Sequence, residues 1–192
     1  MLILVLGLAI FLGAHSVSIV SRPWRDAMVA RLGAGGWRMA YTVVSLAGFA
    51  LLVYGYGAAR EAPVVLWSPP AWGRHVTFLL MVPVLILLVA SNLRGHIRAR
   101  LKHPLLVGTK LWALAHLLAN GMLADLVLFG AFLAWAVLDR ISFKRRGVGA
   151  PEGEPRVAHD AIAVVVGLGL YVAFVLWLHG WLIGVPLVPR VG

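Results

Sequence analysis

KHPLLVGTKLWALAHLLANG, residues Lys102 to Gly121, decides how the chain is organised. The stretch is apolar enough for a bilayer, yet it carries an imidazole, His116. A titratable side chain costs free energy in hydrocarbon, so its presence there marks a functional residue by default. The same stretch sets the number of membrane crossings. A helix needs about 20 apolar residues to cross about 30 Å of hydrocarbon. Residues 105 to 139 are too many for one crossing and too few for two full ones with a loop. Asn120-Gly121 is a helix-ending, turn-forming pair. The spacing therefore predicts a short fourth helix of about 16 residues, a tight turn, and a fifth helix. Such a span is tolerated only where it packs against protein or lines a cavity.

Outward from this stretch the chain stays apolar. Its hydrophobic share is 61% and its charged share 12%, against about 25% charged in soluble domains. This predicts an all-α fold, a polytopic transmembrane helical bundle whose first partner is the lipid bilayer. Six helices are expected near Met1–Val20, Trp37–Tyr56, His75–Leu93, Leu105–Asn120, Met122–Asp139 and Val157–Leu182, in one integral membrane domain over 1–192. Pro83 should kink the third. The basic segment Arg94–Lys102 should lie along the inner surface. Gly147–Pro155, GVGAPEGEP, reads as a flexible loop before the last helix. The apolar N-terminal run lacks preceding cations and an A-x-A site, so it reads as a retained span.

Charge placement orients the bundle. Arg22, Arg25, Arg31 and Arg38 fall in the first connection, and Arg94, Arg98, Arg100, Lys102 and Lys110 in or beside the third. Arg140, Lys144, Arg145, Arg146 and Arg156 fall in the fifth, leaving only Arg60, Arg74 and Arg190 on the other side. That bias places both termini outside the cytoplasm. The net charge of +10 is thus accounted for by the membrane, and no nucleic-acid module pattern is present. The chain has no cysteine, which excludes disulfides, iron–sulfur clusters and covalent haem attachment.

On the fourth helix Gly108, Trp112, His116 and Asn120 recur every four residues, so they share a face. Gly7, Phe11 and His15 make a similar stripe on the first. Small residues there allow close approach of helices or of a flat ligand. Counting 1.5 Å per residue puts His15 about 7 Å nearer the inner boundary than His116, a difference within helix tilt. Two neutral imidazoles on two helices are the ligand set of a membrane haem b iron. Lys110, Arg38, Arg98 and Arg100 are the cations available to its propionates, Lys110 foremost. Both histidines also have a plainer reading as hydrogen-bonded links between helices. His103, before Pro104, reads as a helix-start residue, and His75, His96 and His159 as interfacial. His179 is a reserve ligand. Asp125 has two even readings: it orients a ring N–H, or it is a water-exposed acid in a helix's first turn.

With HPLLVGTKLWALAHLLANG followed by FLAWAVLDRISFKRR, and with FLGAHSVSIVSRPWR and WRMAYTVVSL near the N-terminus, the chain resembles the NnrU family of bacterial membrane proteins over about residues 1 to 147. The resemblance implies an inner-membrane protein linked to nitric oxide and nitrite metabolism in denitrification. It also implies kinship with the plastid zeta-carotene isomerase, whose proposed haem-ligating histidines fall by position on His15 and His116. The isomerase's W-C-L-A-H cysteine is Ala113 here, so an exchange of histidine for cysteine on the iron has no counterpart. Two alternatives follow: a haem-dependent isomerase of a carotenoid-like polyene, and, from the loose match of His103-Pro-x-x-x-Gly108 to isoprenylcysteine-type methyltransferases, an S-adenosylmethionine-dependent enzyme also using Arg146. A redox partner or a lipid-soluble substrate is the further partner implied.

Overall fold

The computed structural model describes residues 1–149 and 153–188, so residues 150–152 of the expected loop, and Arg190, lie outside the described residues. Eight α-helices follow in chain order: α1 (Leu2–Val20), α2 (Arg22–Glu61), α3 (Gly73–Ala90), α4 (His96–Leu101), α5 (Pro104–Ala119), α6 (Leu123–Arg145), α7 (Val157–Ala173) and α8 (His179–Ile183), with a π-helical turn, Phe174–Leu178, joining the last two. Five of these segments are long and apolar enough to span a membrane, and α5 is the shorter sixth. Only 11% to 28% of each long apolar window is buried. Most of the apolar surface therefore faces outward, as a lipid-facing surface does.

The first connection is a correction. The sequence puts residues 21–36 in a basic connection between spans, but the chain leaves α1 for one residue only. Ser21 accepts a hydrogen bond from Trp24 N–H at 3.3 Å and Pro23 sits in the first turn, so α2 starts at Arg22. Both residues favour a helix start. Forty residues of helix would run about 60 Å, twice the hydrocarbon thickness. Gly33, at φ 71° and ψ 163°, breaks α2 and separates its basic start from the span proper. The basic segment after α3 likewise contains a helix, α4. α3 continues through Pro83.

Glycines set the tightest helix pair. A Cβ on Gly7 would strike the α2 backbone at Leu52, and one on Gly55 the α1 backbone at Leu4. Only hydrogen at these positions lets two apolar helices touch main chain to main chain. The helices then follow in the spatial order α2, α1, α6, α5, α3, α7, and α1 and α5 both pack on α6 without packing on each other. The buried core joins α1, α2, α5 and α6 through Leu4, Leu8, Leu52, Ala113, Leu128 and Phe129. Arg60 and Arg74 donate to the carbonyls of Ile183 and Leu187, so α2 and α3 both hold the C-terminal segment.

The expected break after α5 is present. Asn120 is extended, and Met122 forms an isolated β-bridge with Val65. Leu66 N–H donates to the Gly121 carbonyl at 2.8 Å, and Leu123 N–H to the Val64 carbonyl at 2.8 Å. A Cβ on Gly121 would run into the Trp67 carbonyl, so the clasp needs glycine there. The segment Val64–Trp67 thus satisfies backbone groups that a helix end leaves open.

Candidate functional site

His15 and His116 flank α6 from opposite neighbours, and each is anchored the same way. His15 Nδ1–H donates to the Phe11 carbonyl at 2.7 Å, and His116 Nδ1–H donates to the Trp112 carbonyl at 2.8 Å. Each partner is the carbonyl four residues back on the same helix. A carbonyl only accepts, so the proton is on Nδ1 and the Nε2 lone pair is free in the neutral ring. Both rings are half-buried, and neither Nε2 has a hydrogen-bond partner among the described residues.

Aromatic rings fill the ground between them. The Phe11 ring lies 4.2 Å from His15 and 5.9 Å from Phe132, which lies 5.4 Å from Trp112, which lies 5.3 Å from His116. Phe129 stacks on His116 at 4.6 Å and 27°, while Trp135 meets His15 edge-on at 6.1 Å. Phe129 and Trp135 are six residues apart on α6, so the two imidazoles sit at levels roughly 9 Å apart along its axis. Phe132 is midway. α1 and α5 do not pack on each other, and the aromatic residues of α6 meet both.

Other sequence-selected residues divide. Trp112 is at the site. Asn120 Nδ2–H donates to the His116 carbonyl at 2.8 Å, closing the end of α5. Gly108 faces Leu87 and Val84 of α3, so it belongs to the α3–α5 contact. Thr77 of α3 reinforces that contact, donating to the Ala115 carbonyl at 2.6 Å. Lys110 is two residues from Trp112, about 200° around the helix, and projects from the other side. Arg38 is exposed and one turn from Tyr41, whose ring is 5.3 Å from His15. His179 Nδ1–H donates to the Val185 carbonyl at 2.7 Å, so this reserve ligand too keeps Nε2 without a hydrogen-bond partner among the described residues.

Asp125 sits in the first turn of α6, as one of the two expectations has it, but out of water. It is wholly buried (0% exposed). Its Oδ1 accepts from the Tyr56 hydroxyl at 2.6 Å and its Oδ2 from Met122 N–H at 3.0 Å. The carboxyl group therefore caps α6 and ties it to α2, beneath the Phe129 ring that backs His116, and it orients no histidine. Phe129, Phe132, Trp135, Tyr41 and Tyr56 were not singled out from the sequence. The signal was the aromatic spacing i, i+3, i+6 at 129, 132 and 135, which lines one side of α6.

A second polar group lies at the far end of α6. His103 stacks on Phe143 at 4.1 Å, and the Arg146 guanidinium sits 4.6 Å over the same ring. Arg146 also pairs with Asp139 at 4.0 Å. Burial, with the Arg140 and Arg146 charges nearby, holds the His103 imidazole below its usual pKa. Its Nε2 is buried without a hydrogen-bond partner among the described residues. Two of the three residues of the methyltransferase alternative meet here, while Gly108 is packed on α3.

No cluster of three or more His, Cys, Asp or Glu side chains that could hold a bare metal ion occurs among the described residues. A porphyrin iron asks less of the protein, because four of its six ligands come with the macrocycle. Two neutral imidazoles with free Nε2 atoms are the donor type such an iron takes, while Phe11, Phe132 and Trp112 occupy the space between them. The family described as NnrU protein matches residues 3–187, reaching past Arg146 through the last helix. No curated protein and no solved structure matches the chain.

Proposed function

The chain belongs to the NnrU family, and we propose that it binds one haem b inside the bundle, with His15 and His116 as axial ligands. The observation that carries this reading is the matched anchoring of the two imidazoles. Each spends its Nδ1–H on its own helix and keeps Nε2 free beside the aromatic face of α6. A ring nitrogen is oriented for metal by the hydrogen bond that its other nitrogen makes. Phe11, Trp112 and Phe132 offer apolar surface to a flat macrocycle, and they keep water from the rings. Arg38, on the His15 side, is the cation we assign to a propionate.

Haem held by two imidazoles supplies a one-electron redox centre and, where one imidazole yields, a position for a diatomic ligand such as nitric oxide. This suits a role in nitrogen oxide metabolism, in a bacterial inner membrane with both termini periplasmic. Ala113, in the place of the isomerase cysteine, is 0% exposed within the core. That favours electron transfer or gas sensing over isomerisation. The purified protein is expected to show a Soret band, with sharp α and β bands on reduction. His15→Ala and His116→Ala should each abolish or change that spectrum, and the exposed His75→Ala should not. A wild-type protein that stays colourless after expression with ample haem overturns the reading.

A further inference from the structure

A cavity of about 450 Å³ opens where α3 ends and α7 begins. Its walls include Asn92, Arg94, Glu154, Arg156 and His159. The two arginines are brought together by main-chain bonds: Arg156 N–H donates to the Arg94 carbonyl at 2.9 Å. Arg94 N–H in turn donates to His159 Nδ1 at 3.1 Å. An Nδ1 that accepts leaves the ring proton on Nε2, so His159 brings a donor to the cavity. The neighbouring carboxylate does not compete, because Asp160 is committed to the start of α4: Oδ2 accepts from His96 N–H at 2.8 Å and Oδ1 from Ile97 N–H at 3.0 Å. Among the described residues neither Arg94 nor Arg156 has a carboxylate within ion-pair distance.

We propose that this junction is a binding site for a phosphate group. Among the described lining residues Arg94, Arg156 and Glu154 sum to one positive charge, the complement of a singly charged phosphate group. Guanidinium groups bind phosphate oxygens in pairs. The cavity sits at the ends of two membrane spans, where phospholipid headgroups lie, and basic pockets between spans hold anionic headgroups. Its volume takes a phosphate with its adjoining glycerol. A lipid headgroup and free phosphate share this chemistry, and the experiment separates them.

Native mass spectrometry of the full chain in detergent, titrated with phosphatidylglycerol, phosphatidylcholine or inorganic phosphate, tests the site. Phosphatidylglycerol should bind the wild type, and Arg94→Gln/Arg156→Gln should weaken it about 30-fold, at the usual contribution of a surface cation to anionic-lipid binding. Arg22→Gln/Arg25→Gln, whose arginines already pair with Asp26, should bind as the wild type does. Binding of phosphatidylglycerol but not phosphate identifies the lipid as ligand, and binding of phosphate with equal strength identifies free phosphate. If the double variant does not fold, the exposed Arg156→Gln alone should weaken binding about fivefold. Undiminished binding by either arginine variant, equal binding of phosphatidylcholine, or binding of none of the three overturns the proposal.

Discussion

Asp125→Ala is the substitution that most directly probes the frame behind His116. The wild-type carboxyl group is wholly buried and satisfies two donors, the Tyr56 hydroxyl at 2.6 Å and Met122 N–H at 3.0 Å. Alanine strands both. A buried donor left without its partner costs about 1–3 kcal/mol, so Asp125→Ala should lose about 4 kcal/mol of stability. Asp125→Asn keeps one oxygen and should lose about half of that. Tyr56→Phe removes one donor cleanly and should lose about 1–2 kcal/mol. Hydrogen bonds between membrane helices average only about 0.6 kcal/mol in double-mutant cycles, with a maximum of about 1.7. The 2.6 Å contact is at the short end of the O–H···O range, so its coupling should lie near that maximum. The assay is a Tyr56→Phe/Asp125→Ala cycle, read by reversible unfolding in mixed micelles. A coupling near zero would refute the claim that this bond ties α2 to α6.

Two other consequences are directly measurable. Gly55→Leu should separate α1 from α2, because its side chain would occupy the Leu4 backbone. Gly57→Leu, where a Cβ meets nothing within 4 Å, should leave thermal stability within about 0.5 kcal/mol of wild type. His103 has a folded-state pKa held below its unfolded value. Its contribution to stability is therefore intact above about pH 6.5, and is lost as pH falls from there through the folded pKa. His103→Phe, which keeps the stack on Phe143, should flatten that part of the pH profile in thermal melts. A variant with an unchanged profile would show that His103 is not its source.

Run length and turn chemistry made the transmembrane architecture legible. Asn120-Gly121 announced the short α5, and it lies where the helix stops. The helical start of α2 was not legible, because the charges of Arg22, Arg25 and Arg31 place this stretch outside the apolar spans. Ser21 and Pro23 carried the opposing signal and prevailed. The clasp of Val64–Trp67 on Gly121, and the burial of Asp125 against a tyrosine 69 residues away in sequence, depend on contacts that no local pattern encodes. Four-residue spacing grouped Gly108 with His116, but α5 packs on two neighbours. A drift of about 40° per four residues was enough to give Gly108 to α3 and the ring of Trp112 to α6. Lys110 was chosen by charge and depth alone, and its angle around the helix places it elsewhere.

The central claim, two imidazole nitrogens on one iron, is tested most directly by hyperfine electron paramagnetic resonance of oxidised protein grown on ¹⁵N-histidine. The account predicts a low-spin ferric signal with two ¹⁵N-coupled axial ligands, reduced to one in His15→Ala and in His116→Ala. A high-spin signal in the wild type, or a low-spin one whose ¹⁵N couplings survive both substitutions, would contradict it.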